Sequence, residues 1–282
     1  MSDDFLTLTF RLPSTREEEL PLVLNPWPVL GCEVRDVNGE VEVTVYLQRE
    51  AQGILAQVKG SLQQLGAQDL VEGTQPALDW LGEYRQQARP FAVGERFWID
   101  PQPAFPTPPP EGRIPLRIEP RQAFGTGSHE STQLMLLLLE EQGLAGLRVL
   151  DVGTGSGILA LAAKALGACW VLGFDLDLEA VFVARETTRW HGEWPINLFA
   201  GPTKALRPVA VFDLIMANML VEQFVPLLTR FRQLLRPEGV LFLSGLLVGQ
   251  KAAVASELAA SGFVVRRQRH LGEWAALVAG LQ

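Results

Sequence analysis

Apolar and polar positions change their period several times along the chain, and each change marks an element. Phe5 to Leu12 alternates, as a half-buried strand does. Ser14 to Leu24 is charged and is expected to form a helix capped by Ser14 or Thr15, stopped by Pro26 and Pro28. Val29 to Arg35 and Val41 to Gln48 are apolar-rich and flank Asn38-Gly39, a strong hairpin signal. Ala51 to Leu65 carries a helical pattern closed by Gly66. This order, strand, helix, hairpin, helix, predicts a small α+β unit on a split βαβ, ferredoxin-like plan over residues 1–72. Pro76 to Arg89 begins on a proline and ends before Pro90, so a linker helix is expected within 73–90.

The remainder, 91–282, has a different rhythm. Seven prolines between Pro101 and Pro115 predict a stiff surface loop rather than a PxxP recognition site. Ile114 to Ile118 is a short strand, and Ser131 to Gln142 is an apolar helix. From Arg148 onward strands and helices alternate. Strands are expected at 148–152, 169–174, 196–199, 211–216 and 240–244, with helices at 178–190, 221–235 and 248–260. Two last strands, Phe263 to Arg269 and Trp274 to Ala279, flank the short Leu271-Gly272-Glu273 turn and must run antiparallel. The expectation is an α/β domain with a mostly parallel sheet and an antiparallel terminal strand.

Composition narrows the class. The chain has 282 residues, 48% of them hydrophobic, enough for a large core. The formal charge of −8 disfavours non-specific nucleic-acid binding and suits a basic partner. Cys32 and Cys169 form no metal-ligand spacing, and buried free thiols in a reducing cytoplasm are expected. The acidic, polar start gives no sign of a signal peptide, and the run Leu134 to Leu139 is too short to span a bilayer. A cytoplasmic monomer with no membrane partner and no metal is the expectation.

The chemistry concentrates between Arg148 and Asp175. An apolar strand enters Gly153, Gly155 and Gly157, an alanine-rich helix follows, and a second strand delivers Asp175. Backbone N–H groups at such a turn lie open to a ligand, and an acidic residue ending the second strand can accept ribose hydroxyls. Gly155 to Ala160 satisfies G-x-G-x-x-A, so a nicotinamide or flavin dinucleotide remains possible. The other ligand is S-adenosylmethionine, which is cationic; Asp151, directly before the turn, is an acidic residue suited to it.

Several segments in order resemble the PrmA family, the methyltransferases of ribosomal protein L11. Ala123-Phe-Gly-Thr-Gly-Ser-His129-Glu-Ser-Thr132 is similar to its AFGTGxHxTT loop, and Leu150 to Ala160 to its first motif. Gly173-Phe-Asp175-Leu-Asp177 resembles its acidic loop, Phe212 to Leu220 its VANIL-type segment, and Gly272-Glu273-Trp274 its closing GEW. The linker's Asp79-Trp80-Leu81 matches as well. The resemblance covers Asp79 to the C-terminus and implies a Rossmann-like class I methyltransferase domain. The first 70 or so residues share only a compatible element order with the family's substrate-recognition domain.

By that resemblance Thr132, Gly153, Asp175 and Asn218 bind S-adenosylmethionine, with Asp151 and Gly155 joining them from the turn. Asn218, an amide after a buried strand, can also meet the incoming amine. Phe124 and Trp274 are expected to cover the cofactor or line an amine channel, partly by cation–π contact. His129 is expected to be structural, and no general base is assigned. His191 and His270 show no partner in the sequence. The implied partner is ribosomal protein L11, methylated on lysine side chains and its N-terminal α-amine. Reaching several amines would require the first unit to move on the linker. The alternatives are an NAD(P)-dependent oxidoreductase, a methyltransferase for another protein or small-molecule amine, and a ribosome-associated binding protein without catalysis.

Overall fold

The structure is a computed structural model that describes residues 5–37, 39–75, 88–119, 127–192 and 194–282. The chain divides into two compact units, Met1–Trp80 and Leu81–Gln282.

The first unit runs β1 (Phe5–Pro13), a 3-10 turn, α1 (Leu20–Leu24), β2 (Val29–Val37), β3 (Glu40–Leu47), a second 3-10 turn, α2 (Leu55–Leu65) and β4 (Gln68–Gln75). Its sheet has the order β2-β3-β1-β4, with every neighbouring pair antiparallel. The alternation in β1 and β3 buries Leu6, Leu8, Phe10 and Leu12 with Val41, Val43, Val45 and Leu47. These pack with Leu55, Val58, Leu62 and Leu65 of α2 in one apolar cluster. Gly66 ends α2 at φ +97°, the left-handed cap that glycine adopts without a steric penalty.

Two expectations need correction here. Ser14 to Leu24 is not one capped helix: Ser14–Glu19 is a 3-10 turn preceded by Pro13, and α-helix is confined to Leu20–Leu24. Pro21 has no N–H for the α-type bond four residues back, so the α pattern cannot run through it. The boundary at residue 72 falls inside β4, an edge strand so exposed that its alternation is faint in the sequence. The expected linker helix lies almost wholly outside the described residues; Ala88, Arg89 and Pro90 have no regular structure.

The second unit opens with a three-stranded sheet of β5 (Phe91–Val93), β6 (Phe97–Asp100) and β7 (Ile114–Arg117). The sequence reading found only the last of these. The proline-rich stretch between β6 and β7 folds back on buried Asp100, whose carboxylate accepts the N–H groups of Gln102 and Thr107 at 2.9 and 2.7 Å.

Then follow α3 (Glu130–Glu141), β8 (Arg148–Val152), α4 (Ile158–Ala165), β9 (Trp170–Asp175), α5 (Leu178–Arg189), β10 (Asn197–Ala200) and β11 (Phe212–Asn218). The chain ends with α6 (Val221–Phe224), α7 (Leu228–Leu234), β12 (Leu235–Leu247), α8 (Lys251–Ala260), β13 (Phe263–Leu271) and β14 (Trp274–Leu281). The expected helix over 221–235 is split by a 3-10 turn at Val225–Leu227, again around a proline, Pro226.

The seven strands order as β10-β9-β8-β11-β12-β14-β13. The first five are parallel, and β14 inserts antiparallel between β12 and β13. Alternate residues feed opposite faces: Leu214 and Met216 join α3 and α4 on one side, Ile215 and Ala217 join α6, α7 and α8 on the other. A sheet covered on both faces explains why these strands read as continuous apolar runs.

Both cysteines are exposed free thiols, which corrects the expectation that they are buried. Cys32 lies on the uncovered edge strand β2, and Cys169 just before β9, its thiol 3.1 Å from the Gly146 carbonyl. His191 does have partners: Nε2 accepts the Arg117 N–H at 3.0 Å, and Nδ1 lies 3.1 Å from the Thr187 carbonyl, which it can reach as a donor. The buried ring thereby ties α5 to β7. Among the described residues no helix is long and apolar enough to cross a membrane.

Candidate cofactor and acceptor site

Parallel strands bring their C-terminal ends to one edge of the sheet, and there the chain leaves a cavity of about 750 Å³. Its wall includes Gly153 and Gly155 after β8, Asp175 and Asp177 after β9, Asn218 and Met219 after β11, and Gly245 within the last turns of β12. Thr132 and His129 reach it from the start of α3, and Trp274 from the start of β14.

The glycine turn is tied to the neighbouring strand. The N–H groups of Gly153 and Thr154 both donate to the Phe174 carbonyl at 2.9 Å. Gly153, Gly155 and Gly157 all have positive φ, +69°, +52° and +82°. A side chain at Gly153 would also meet the Met219 methyl at 2.6 Å, so glycine serves both backbone and packing there.

Asp175 completes the turn. Its Oδ2 accepts the Gly155 N–H and its Oδ1 accepts the Asp177 N–H, both at 3.1 Å. Asp177 then caps α5 by accepting the Glu179 N–H at 2.9 Å. Each Asp175 oxygen keeps a lone pair for a further donor.

Asp151 behaves differently from its expected role. It is 1% exposed and is absent from the cavity wall. Its Oδ2 accepts the Thr154 hydroxyl at 2.7 Å, and a hydrogen bond from the Ala160 backbone also reaches it. Burial raises its pKa to about 7; the Thr154 and Ala160 hydrogen bonds oppose the rise and the nearby Asp175 adds to it. Asp151 thus sits beneath the turn and braces it, because its side chain turns back onto Thr154.

On the other side of the cavity the Asn218 Nδ2 donates to Thr132 Oγ1 at 3.2 Å. The Asn218 Oδ1 is buried and takes no hydrogen bond from any described residue. His129 caps α3 by accepting the Ser131 N–H on Nδ1 at 3.2 Å, and its ring meets Trp274 edge-on with centroids 4.6 Å apart. The structure therefore brings Thr132, Gly153, Gly155, Asp175, Asn218 and Trp274 to one cavity. Phe124 lies outside the described residues. Among those residues no group of three or more His, Cys, Asp or Glu could hold a metal ion.

Sequence reasoning missed Gly245 and Gln223. Gly245 has φ +83°, and a Cβ there would lie 2.4 Å from the Met219 carbonyl oxygen. Its signal was a glycine at the end of a buried strand beside the one that delivers Asn218. Gln223 accepts the Leu220 N–H at 3.1 Å and closes the loop after Asn218.

Known proteins carry the same arrangement. A family model described as ribosomal protein L11 methyltransferase (PrmA) matches residues 15–281. The ribosomal protein L11 methyltransferase of Pelobacter propionicus is 41% identical over 206 residues, covering 71% of this chain and 66% of that protein. Its counterpart in Geobacter metallireducens is 38% identical over 202 residues, covering 71% and 65%. The chain thus spans slightly less than two thirds of these curated relatives. The crystal structure of a ribosomal protein L11 methylase from Lactobacillus delbrueckii subsp. bulgaricus superposes with a TM-score of 0.64 at 31% identity, covering 69% of this chain and 100% of that one. The second unit thus has the class I methyltransferase fold, and with the family model running over nearly the whole length, the chain belongs to the PrmA family.

Proposed function

We propose that this chain transfers methyl groups from S-adenosylmethionine to amino groups of ribosomal protein L11, on lysine side chains and the N-terminal α-amine. The observation that carries this reading is the meeting of Asp175 and the glycine turn with Asn218 in one cavity. The names of the relatives supply the acceptor.

The residues present fit the cofactor. Gly153 and Gly155 keep side chains out of the approach to the main chain, and Asp175 has lone pairs left for two ribose hydroxyls. Thr132 borders the same space. Asp151 contributes from below, by holding the turn. S-adenosylmethionine supplies an electrophilic methyl group on a sulfonium. The chain's part is to hold a neutral amine in line with it. An alkyl ammonium has a pKa near 10.4 in water, and an apolar wall that includes Trp274 and Met219 favours its neutral form. Asn218 Oδ1, left without a donor, can accept an amine N–H and orient the nitrogen lone pair. We assign no general base, because positioning can supply much of the rate.

The first unit is read as a ferredoxin-like domain that recognises the acceptor; its four-stranded antiparallel order and two helices support this. The oxidoreductase reading is disfavoured. The usual dinucleotide fold orders its strands 3-2-1-4-5-6 in a parallel sheet, whereas here antiparallel β14 separates β12 from β13. Calorimetric titration tests the choice of cofactor: S-adenosylmethionine should bind and NADH and NADPH should not. Binding of either dinucleotide with none of S-adenosylmethionine would reverse the assignment.

A further inference from the structure

The family resemblance groups Thr132 with the cofactor-binding residues, yet its hydrogen bonding points to another task. Thr132 is fully buried in the first turn of α3, and its N–H donates to the His129 carbonyl at 3.0 Å. That turn is set by the cap His129 makes to the Ser131 N–H, and His129 itself leans on Trp274. The Thr132 hydroxyl is thus held by a rigid helix start. It faces a residue 86 positions away, accepting the Asn218 Nδ2–H at 3.2 Å.

A terminal amide turns about its last torsion in a broad, roughly two-fold well, so either its N–H₂ or its oxygen could face a ligand. One hydrogen bond from a fixed neighbour decides the matter. With Nδ2 on Thr132, the free atom is Oδ1, buried and without a donor among the described residues. Leaving such an acceptor unsatisfied costs about 1–3 kcal/mol, which a substrate donor would recover. An amide nitrogen in that place would instead present another donor to the amine.

We propose that Thr132 is a positioning residue for Asn218: its hydroxyl takes one amide N–H and so holds Oδ1 toward the acceptor amine. The proposal rests on the methyl-transfer reading above and assigns Thr132 a role through Asn218 rather than through the cofactor.

The test uses the full chain, purified ribosomal protein L11 and S-adenosylmethionine. Thr132→Val, Thr132→Ala, Thr132→Ser, Asn218→Ala and the double variants are compared for cofactor Kd by calorimetry and for single-turnover methylation rate. Loss of the hydroxyl should lower the rate about tenfold, the worth of one well-placed hydrogen bond, with cofactor Kd changed less than about twofold. Thr132→Ser should restore the rate. In the Asn218→Ala background, removing the Thr132 hydroxyl should add less than about twofold, because the group it holds is gone. Including alanine as well as valine keeps a folding defect peculiar to one variant from deciding the result. A tenfold rise in cofactor Kd at unchanged rate, or effects that multiply in the double variants, would overturn the proposal. Wild-type protein that methylates nothing would instead remove the methyl-transfer reading itself.

Discussion

The carboxylate of Asp175 accepts the backbone N–H of Gly155 at 3.1 Å, so the acidic end of β9 and the glycine turn after β8 form one rigid rim. The same carboxylate takes the Asp177 N–H, which starts α5. Asp175 therefore has two tasks in one side chain: it fixes the turn and offers its remaining lone pairs to the cavity. The two tasks separate experimentally.

Asp175→Asn keeps the shape and one acceptor oxygen but replaces the other with a donor. Charged hydrogen bonds are worth about 1.5–3 kcal/mol each, so affinity for S-adenosylmethionine should fall about tenfold to a hundredfold. The Tm should fall too, because the N–H of Gly155 or of Asp177 loses its acceptor. Calorimetry gives the first number and thermal melting the second; full affinity at an unchanged Tm would contradict both roles.

Asp151 predicts a pH dependence of stability. Its folded pKa is raised, to about 7 from an ordinary 3.8, so the native state binds the proton more tightly than the unfolded chain does. Stability from this group is fully present below about pH 4 and is lost as pH rises toward 7. The loss at neutral pH is on the order of 4 kcal/mol. Asp151→Asn removes the titration. Compared with this variant, the wild type should lose stability steadily between pH 4 and 7, measured by urea melts without cofactor. A constant difference across that range would show that Asp151 stays charged in the fold.

Gly245→Ala tests how the loop bearing Asn218 is seated. A Cβ at this position meets the Met219 carbonyl oxygen at 2.4 Å, and φ is +83°. Backbone cannot yield as a flexible side chain can. The variant should lose at least about 2 kcal/mol and most of its methylation rate. Gly249→Ala, with nothing within 4 Å of the added carbon, is the control and should behave as wild type. Equal melting curves for the two variants would show that the Met219 backbone moves aside freely.

Much of this was legible before any coordinates. The apolar runs of β8, β9 and β11 and the glycines between them carry the sheet, because burial on both faces leaves little room for polar residues. Asp175, Asn218 and Trp274 were found because each follows or opens such a run. What the sequence hid has physical causes. β4 is an exposed edge strand whose alternation is faint, and β5 and β6 are too short for periodicity to register. Pro21 and Pro226 interrupt helices whose apolar pattern continues past them. Asp151 stands beside the glycines in sequence, but only its rotamer, turned onto Thr154, places it under the turn rather than in the cavity. His191 had no sequence neighbour to suggest Arg117, 74 positions away, as its partner.

The central claim is that the cavity at the strand ends moves methyl groups to a protein amine. Intact-mass spectrometry of purified ribosomal protein L11, after incubation with the full chain and S-adenosylmethionine, tests it most directly. The mass should rise in steps of one methyl group, and Asn218→Ala should suppress the steps. An unchanged mass with wild-type protein that demonstrably binds S-adenosylmethionine would contradict the account.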